Sequence, residues 1–219
     1  MATKTENQNV ITSCKTTDNF SDAQSQLDML KRLSLAAKYK DDDTGSHITR
    51  MSRYCFEIAK AYGFNEDDAN VLLNAAPMHD IGKIGIADSI LLKKGKLTKD
   101  EFKTMTEHSQ IGADIIHEQS SKLLNIAYIV AYQHHEKFNG TGYPNKLKGE
   151  EININARIAA VADVFDALTS VRPYKHAWDL DKAVKQINDD SGTHFDPKVV
   201  DAFNIALDKI KEIKDTYSN

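Results

Sequence analysis

The residues with the greatest chemical potential in this chain are eight histidines and a set of aspartates, several of them in apolar surroundings. His79 and Asp80 are adjacent, follow a helical apolar pattern and precede the glycine-punctuated turn Ile81-Gly82-Lys83-Ile84-Gly85. A carboxylate buried beside an imidazole is costly unless something positive compensates it, and a divalent cation supplies that charge directly. A structural ion pair or a helix end is the more ordinary explanation of one such pair, so the distant residues decide. His47, His108, His134 and His135 stand where they can complete a coordination shell, although His47 or His108 alone reads as a core or surface residue. Asp163 lies among Ala159, Ala160, Val161, Ala162, Val164 and Phe165, where an uncompensated carboxylate is penalised by several kcal/mol. Imidazole nitrogen with carboxylate oxygen suits iron, manganese and similar borderline ions, and the lack of paired cysteines argues against a structural zinc site. Asp43 and His47 are four apart and share a helical face if the helix starts that early. With Asp80 as a bridge, two ions about 3.5–4 Å apart can activate a shared water and clamp both oxygens of a phosphodiester undergoing displacement.

Cations flank this set. Lys83 follows the His-Asp pair, and Arg172 and Lys175 follow the Asp163 segment, so the three can converge on phosphate oxygens or be solvated surface charges. Asp166, one turn past Asp163, suits a supporting carboxylate that orients a ligand or Arg172, or a member of a hydrogen-bond network. His117, His176 and His194 have no comparable context and read as structural or surface residues.

The elements that must position these groups are helices. Leu27, Leu30, Leu33, Ala36 and Ala37 keep helical spacing until Asp41-Asp42-Asp43, a stripe that suits a core face or a dimer seam. A second helix carries His47, Met51, Tyr54, Cys55, Ile58 and Tyr62, with Gly63 as its stop. Asn65 caps a third, with Glu66, Asp67 and Asp68 in its first turn, running through Met78 to the His-Asp pair. Thr98-Lys99-Asp100-Glu101 has capping-box spacing and opens one helix holding Phe102, Met105, His108 and Ile111. An apolar helix from Leu123 to Tyr132 delivers His134-His135-Glu136, and Asn139-Gly140-Thr141-Gly142-Tyr143-Pro144-Asn145 is turn-rich and reads as a projecting loop. Asn155 caps a buried helix from Ala156 to about Ser170, ended by Arg172-Pro173. Two amphipathic segments, Leu180–Asp189 and Pro197–Lys214, close the chain. With no strand alternation and no repeat, the expected class is all-α.

At 219 residues and 41% hydrophobic content the chain can bury one sizeable core, expected over residues 21–219 after a polar tail or linker remnant at 1–20 that reads as disordered. The net charge of −4 gives no basic footprint for a nucleic-acid polymer. Cys14 and Cys55 alone make no disulfide framework and suit a reducing cytoplasm. No apolar run approaches the roughly 20 residues of a membrane span, and the start carries no export pattern.

From about Leu33 to Phe203 these motifs resemble the HD-GYP proteins, a branch of the HD superfamily of metal-dependent phosphohydrolases. The resemblance rests on Asp42-Asp43-Thr44-Gly45-Ser46-His47, His79-Asp80-Ile81-Gly82-Lys83, Glu107-His108 with Ile111-Gly112, and His134-His135-Glu136. Gly142-Tyr143-Pro144, Ala162-Asp163 with Phe165-Asp166, Arg172-Pro173-Tyr174-Lys175 and Gly192-Thr193-His194-Phe195-Asp196-Pro197 complete it. It implies an HD-domain helical bundle that hydrolyses cyclic di-GMP to pGpG and in many members on to GMP, some relatives taking cyclic GMP-AMP instead. A non-catalytic cyclic di-GMP binding or scaffold module is the alternative outside enzymology. It further implies His47, His79, Asp80, His108, His134, His135 and Asp163 as metal ligands, with Asp43 the outlier. Family members often carry a longer glutamate at that position, where it helps hold a third ion, so two ions of iron or manganese are expected here. Asp80 and Lys83 would act in catalysis, Tyr143 would line the substrate cleft, and Lys83, Arg172 and Lys175 would hold phosphates. An upstream sensory or receiver domain is usual in the family.

Overall fold

The computed structural model describes residues 19–40, 45–117, 120–171 and 177–217. Asp43, Arg172, Lys175 and His176, and nearly all of the stretch read as a polar tail, therefore lie outside the described residues. The described chain is helical: α1 Asn19–Lys38, α2 Gly45–Tyr62, α3 Glu66–Ala75, α4 Asp88–Leu91, α5 Lys99–Thr106, α6 His108–Ile116, α7 Lys122–Gln133, α8 Ile154–Thr169, α9 Leu180–Asp189 and α10 Pro197–Thr216. Among the described residues there is no strand, and Ser191 and Phe195 make one isolated bridge.

Local chemistry explains most boundaries. The Asn65 side chain accepts from the Asp68 N–H at the start of α3, and Thr98 and Glu101 close a reciprocal capping box at the start of α5. Gly63 ends α2 at a φ of +113°, a conformation open to glycine. Three expectations are corrected. The third helix does not run on to the His-Asp pair; it stops at Ala75 and continues as a tighter 3-10 turn, Ala76–Met78. Pro77 is the reason, because its ring lacks an N–H and would collide with the carbonyl one turn back. The single helix expected through Phe102 and His108 is two, α5 and α6, parted at Glu107. The cap of α8 is Asn153, whose Oδ1 accepts from both the N–H and the side-chain amide of Asn155.

Two apolar clusters hold the helices together. The larger joins α2, α3, α8, α9 and α10 through Tyr54, Ile58, Leu72, Phe165, Ile187, Phe203 and Ile210. Its spine is aromatic, with Tyr54 and Phe165 ring centroids 5.6 Å apart and Phe165 and Phe203 5.1 Å apart, both edge to face. The smaller lies between α1, α3, α6 and α7 around Leu30, Met78, Ile81, Ile116 and Ala131. Helix α8 is buried around most of its circumference, so its two aspartates enter the interior and need partners. The seam between the clusters is where the charged groups collect: His47 and Asp163 come from the larger side, His79 and Asp80 from between Met78 and Ile81 of the smaller.

One close approach fixes that seam. The turn Ile81–Gly85 lies against the first turns of α6, and a Cβ built on Gly82 would stand 1.9 Å from the His108 carbonyl oxygen and 2.4 Å from the Gly112 nitrogen. Gly82 is thus required by contact between backbones, where the sequence suggested only a turn.

Candidate metal centre

Helix α2 presents His47 near its first turn, and the ring is fixed from behind. Its Nδ1 lies 2.8 Å from Asp166 Oδ2. Arg50, one turn further along α2, donates from Nε to Asp166 Oδ1 at 2.6 Å and from Nη2 to Oδ2 at 2.9 Å. Ser170 Oγ donates to the same carboxylate at 3.1 Å. Burial alone would raise the Asp166 pKa, but the bonds from Arg50 and His47 outweigh it and hold the group at about 2. Arg50 also donates to Ser170 Oγ and to the Tyr217 carbonyl, so the buried charge pair is well satisfied.

Three more imidazoles are oriented the same way by backbone. Nδ1 of His79 bonds the Ala76 carbonyl at 3.0 Å, that of His108 the Met105 carbonyl at 2.7 Å, and that of His134 the Val130 carbonyl at 2.9 Å. A carbonyl only accepts, so each Nδ1 carries a proton and each ring turns its Nε2 inward. Those nitrogens converge on Asp80. His79 Nε2 is 3.2 Å from Oδ2, while His108 Nε2 is 3.3 Å and His134 Nε2 3.7 Å from Oδ1. His47 Nε2 is 3.7 Å from Asp163 Oδ1. The donors fall into two groups, Asp80 with His108, His134 and His135, and His47 with His79 and Asp163. Asp80 stands between them, with one oxygen toward each.

This arrangement fits metal ions on its own terms. Nε2 of His47, His79, His108 and His134, together with Asp80 Oδ1, are buried without a hydrogen-bond partner. Buried polar atoms are rarely left so, and five orphans gathered in these two donor groups ask for cations. The protonation pattern agrees. Burial works against charge on His79, yet the neighbouring Asp80 outweighs it and lifts the ring to about 9. A proton there fills the gap that a cation would fill. His108 is pushed by burial down to about 4, and His135 falls well below the usual range through burial and its histidine neighbours, so both rings stay neutral donors.

The remaining expected residues border the centre. Lys83 Nζ is 2.8 Å from Asp80 Oδ2. The loop holding Tyr143 is tied down by Glu136, a buried carboxylate that accepts from the N–H groups of Asn145 at 2.7 Å and Leu147 at 3.1 Å. Aromatic rings then run outward in a row, with centroids 3.9 Å apart for His134 and His135, 4.7 Å for His135 and Tyr143, and 6.3 Å for Tyr143 and Phe102. His194 stacks on Phe195 and His117 is exposed, each apart from the two donor groups.

The structure therefore gathers His47, His79, Asp80, His108, His134, His135 and Asp163, with Lys83 and Tyr143 at the edge and Asp166 behind His47. Asp166 holds His47 and Arg50; Arg172, its other expected partner, lies outside the described residues. Sequence reasoning missed Arg50 and the anchoring role of Glu136. The three-residue spacing from His47 puts Arg50 on the same helical side, which is the signal that could have found it.

A helical shell enclosing two linked imidazole–carboxylate groups defines a protein of the histidine–aspartate metal-site class. The chain belongs to the HD domain family, whose model matches residues 28–199, and the HD-GYP resemblance carried by its motifs agrees with its relatives. It is 42% identical over 189 residues to the cyclic di-GMP phosphodiesterase response regulator RpfG of Xanthomonas campestris pv. campestris, covering 86% of this chain and 50% of that protein. It is 40% identical over 174 residues to 3'3'-cGAMP-specific phosphodiesterase 2 of Vibrio cholerae, covering 80% and 33% respectively. The fold is shared with a crystal structure of a V. cholerae cyclic GMP-AMP specific phosphodiesterase, V-cGAP3, at a TM-score of 0.64 and 22% identity over 88% of this chain and 51% of that one. The chain thus spans half or less of the length of these relatives.

Proposed function

We propose that this chain is a metal-dependent phosphodiesterase that opens cyclic di-GMP to pGpG. The observation that carries the reading is the division of the Asp80 carboxylate between two groups of buried, unpartnered imidazole nitrogens. His47, His79 and Asp163 would hold one divalent ion and His108, His134 and His135 the other, with Asp80 shared; iron or manganese suits these donors. When bound, such a pair supplies Lewis acidity and a nucleophile at neutral pH, so no separate side-chain base is needed.

The chain's own part is positioning and charge. The Nδ1 acceptors behind His47, His79, His108 and His134 hold their Nε2 atoms in place before any ligand arrives, which removes reorganisation from the reaction. Lys83 brings an ammonium beside Asp80, where it can take up negative charge on a phosphodiester oxygen. Tyr143 lines the approach. Phosphate-holding roles for Arg172 and Lys175, and a role for Asp43 at a third ion, rest on their motifs alone. The cyclic dinucleotide class is supported by the activities named for the relatives, which include both cyclic di-GMP and cyclic GMP-AMP, so the hybrid dinucleotide is the second reading.

Anaerobic reconstitution with iron or manganese, metal analysis and side-by-side turnover of the two cyclic dinucleotides test this. The expected result is metal-dependent hydrolysis with cyclic di-GMP preferred, and loss of both bound metal and turnover in the His79→Ala, Asp80→Ala double variant. Turnover that survives complete metal stripping would end the proposal, and binding without turnover in the fully loaded protein would leave a cyclic dinucleotide receptor.

A further inference from the structure

Phe102 carries no function in the reading above, and 53% of its surface is exposed. A solitary exposed aromatic needs no explanation, but this one is neither solitary nor loosely held. Its ring stands 6.3 Å from Tyr143 at an interplanar angle of 87°. Tyr143 lies at 34° and 4.7 Å against His135, a member of the donor group. The rings thus lead from the candidate metal centre to the surface without a gap.

The element that holds Phe102 is unusually well pinned for a helix of eight residues. Thr98 and Glu101 satisfy each other's backbone donors, and Lys93 donates to both Glu101 carboxylate oxygens at 2.6 and 2.7 Å. Phe102 follows immediately, its N–H donating to the Thr98 carbonyl at 2.9 Å. An aromatic on a fixed backbone pays little further ordering cost when a planar ligand settles on it. The perpendicular Tyr143 and Phe102 rings form a corner in which a flat ligand lies on one ring and meets the edge of the other. Both are favoured aromatic geometries.

We infer that Phe102, together with Tyr143, is the platform on which a nucleobase of the substrate stacks while its phosphodiester lies at the Asp80 centre. The inference rests on the proposed function for its substrate and names a residue that reading leaves out. A base is carried one ribose away from its phosphate, and this aromatic corner adjoins the donor group through the contact of Tyr143 with His135. Every base offers a π-face, so stacking here contributes similarly to guanine and adenine. Phe102 therefore sets affinity for nucleotides as a class, and discrimination between cyclic di-GMP and cyclic GMP-AMP comes from other residues.

Two measurements test this on manganese-loaded protein. In Phe102→Ala, KM for both cyclic dinucleotides should rise by the same factor, about 5- to 100-fold, with kcat and metal content close to those of the parent and KM recovered in Phe102→Trp. In Phe102→Trp, GMP and AMP should quench tryptophan fluorescence beyond what Trp178 shows in the parent, while ribose 5-phosphate should not. An unchanged KM in an active Phe102→Ala protein overturns the platform and leaves the proposed function standing. Quenching equal with ribose 5-phosphate, or absent with GMP, also overturns it. Failure of the parent to hydrolyse either cyclic dinucleotide overturns the proposed function instead, and the quenching experiment still decides whether Phe102 stacks a base.

Discussion

Replacing Gly82 with alanine adds one methyl group where two backbones already touch. The 1.9 Å separation from the His108 carbonyl oxygen must open to about 3.4 Å, ordinary van der Waals contact, so one wall moves by about 1.5 Å. Neither wall is a flexible side chain that could swing aside. One carries Asp80 two residues upstream of Gly82, and the other is the start of α6, which carries His108. The donor atoms on these walls, His108 Nε2 and Asp80 Oδ1, are now 3.3 Å apart, and the displacement is nearly half that distance. Overpacking of this kind costs about 3 kcal/mol, which lowers the melting temperature of a chain this size by roughly 6–12 °C. The assay is thermal unfolding in parallel with metal analysis after reconstitution, with circular dichroism to verify helix content. Gly63→Ala is the control: it strains a φ of +113° but meets nothing within 4 Å, and it lies about 24 Å from His47 along α2. Gly63→Ala should lose stability and keep its metal, whereas Gly82→Ala should lose both. Full metal occupancy with an unchanged melting temperature in Gly82→Ala would show that the contact between the turn and α6 does not hold the centre together.

Three other outcomes are expected. Arg50→Ala strands the buried Asp166 carboxylate, so unfolding free energy should fall by about 3–5 kcal/mol and metal affinity by roughly 10- to 100-fold through His47; denaturant melts and a competitive chelator titration measure the two. Glu136→Ala leaves the Asn145 and Leu147 N–H groups without their acceptor, and should raise KM through the Tyr143 loop while metal content holds, as read by steady-state kinetics beside elemental analysis. Stripping the metal should lower the melting temperature, and refilling should restore it, because a ligand at a thousand times its dissociation constant stabilises the native state by about 4 kcal/mol; calorimetry across metal concentrations checks this.

The helix periods and most caps were legible because they are local. Asn65 and Thr98 cap the helices whose first turns they were expected to cap, and α9 has the bounds its periodicity implied. Pro77 was visible in the sequence, but the apolar run through Met78 masked its effect. The break at Glu107 has no glycine or proline to announce it. Asn153 and Asn155 are chemically equal candidates two residues apart, and the helix start at Ile154 decides between them. The residues that meet in the two His/Asp groups were readable as candidates from residue types and motif spacing, since histidine and aspartate in apolar stretches need compensation wherever the chain goes. The Arg50–Asp166 pairing was not, because it spans 116 residues and exists only once α2 lies against α8.

Arg50 also reaches the Tyr217 carbonyl, 167 residues further along the chain. Support for the first ring of the centre is therefore closed by a backbone carbonyl at the far end of α10. A nascent polypeptide that has delivered every imidazole and acid, but not yet α10, leaves this guanidinium without its final acceptor and α2 without the helix packed along it. A firm hold on an ion at His47 would thus wait on the docking of α10 as well as on the donor residues themselves.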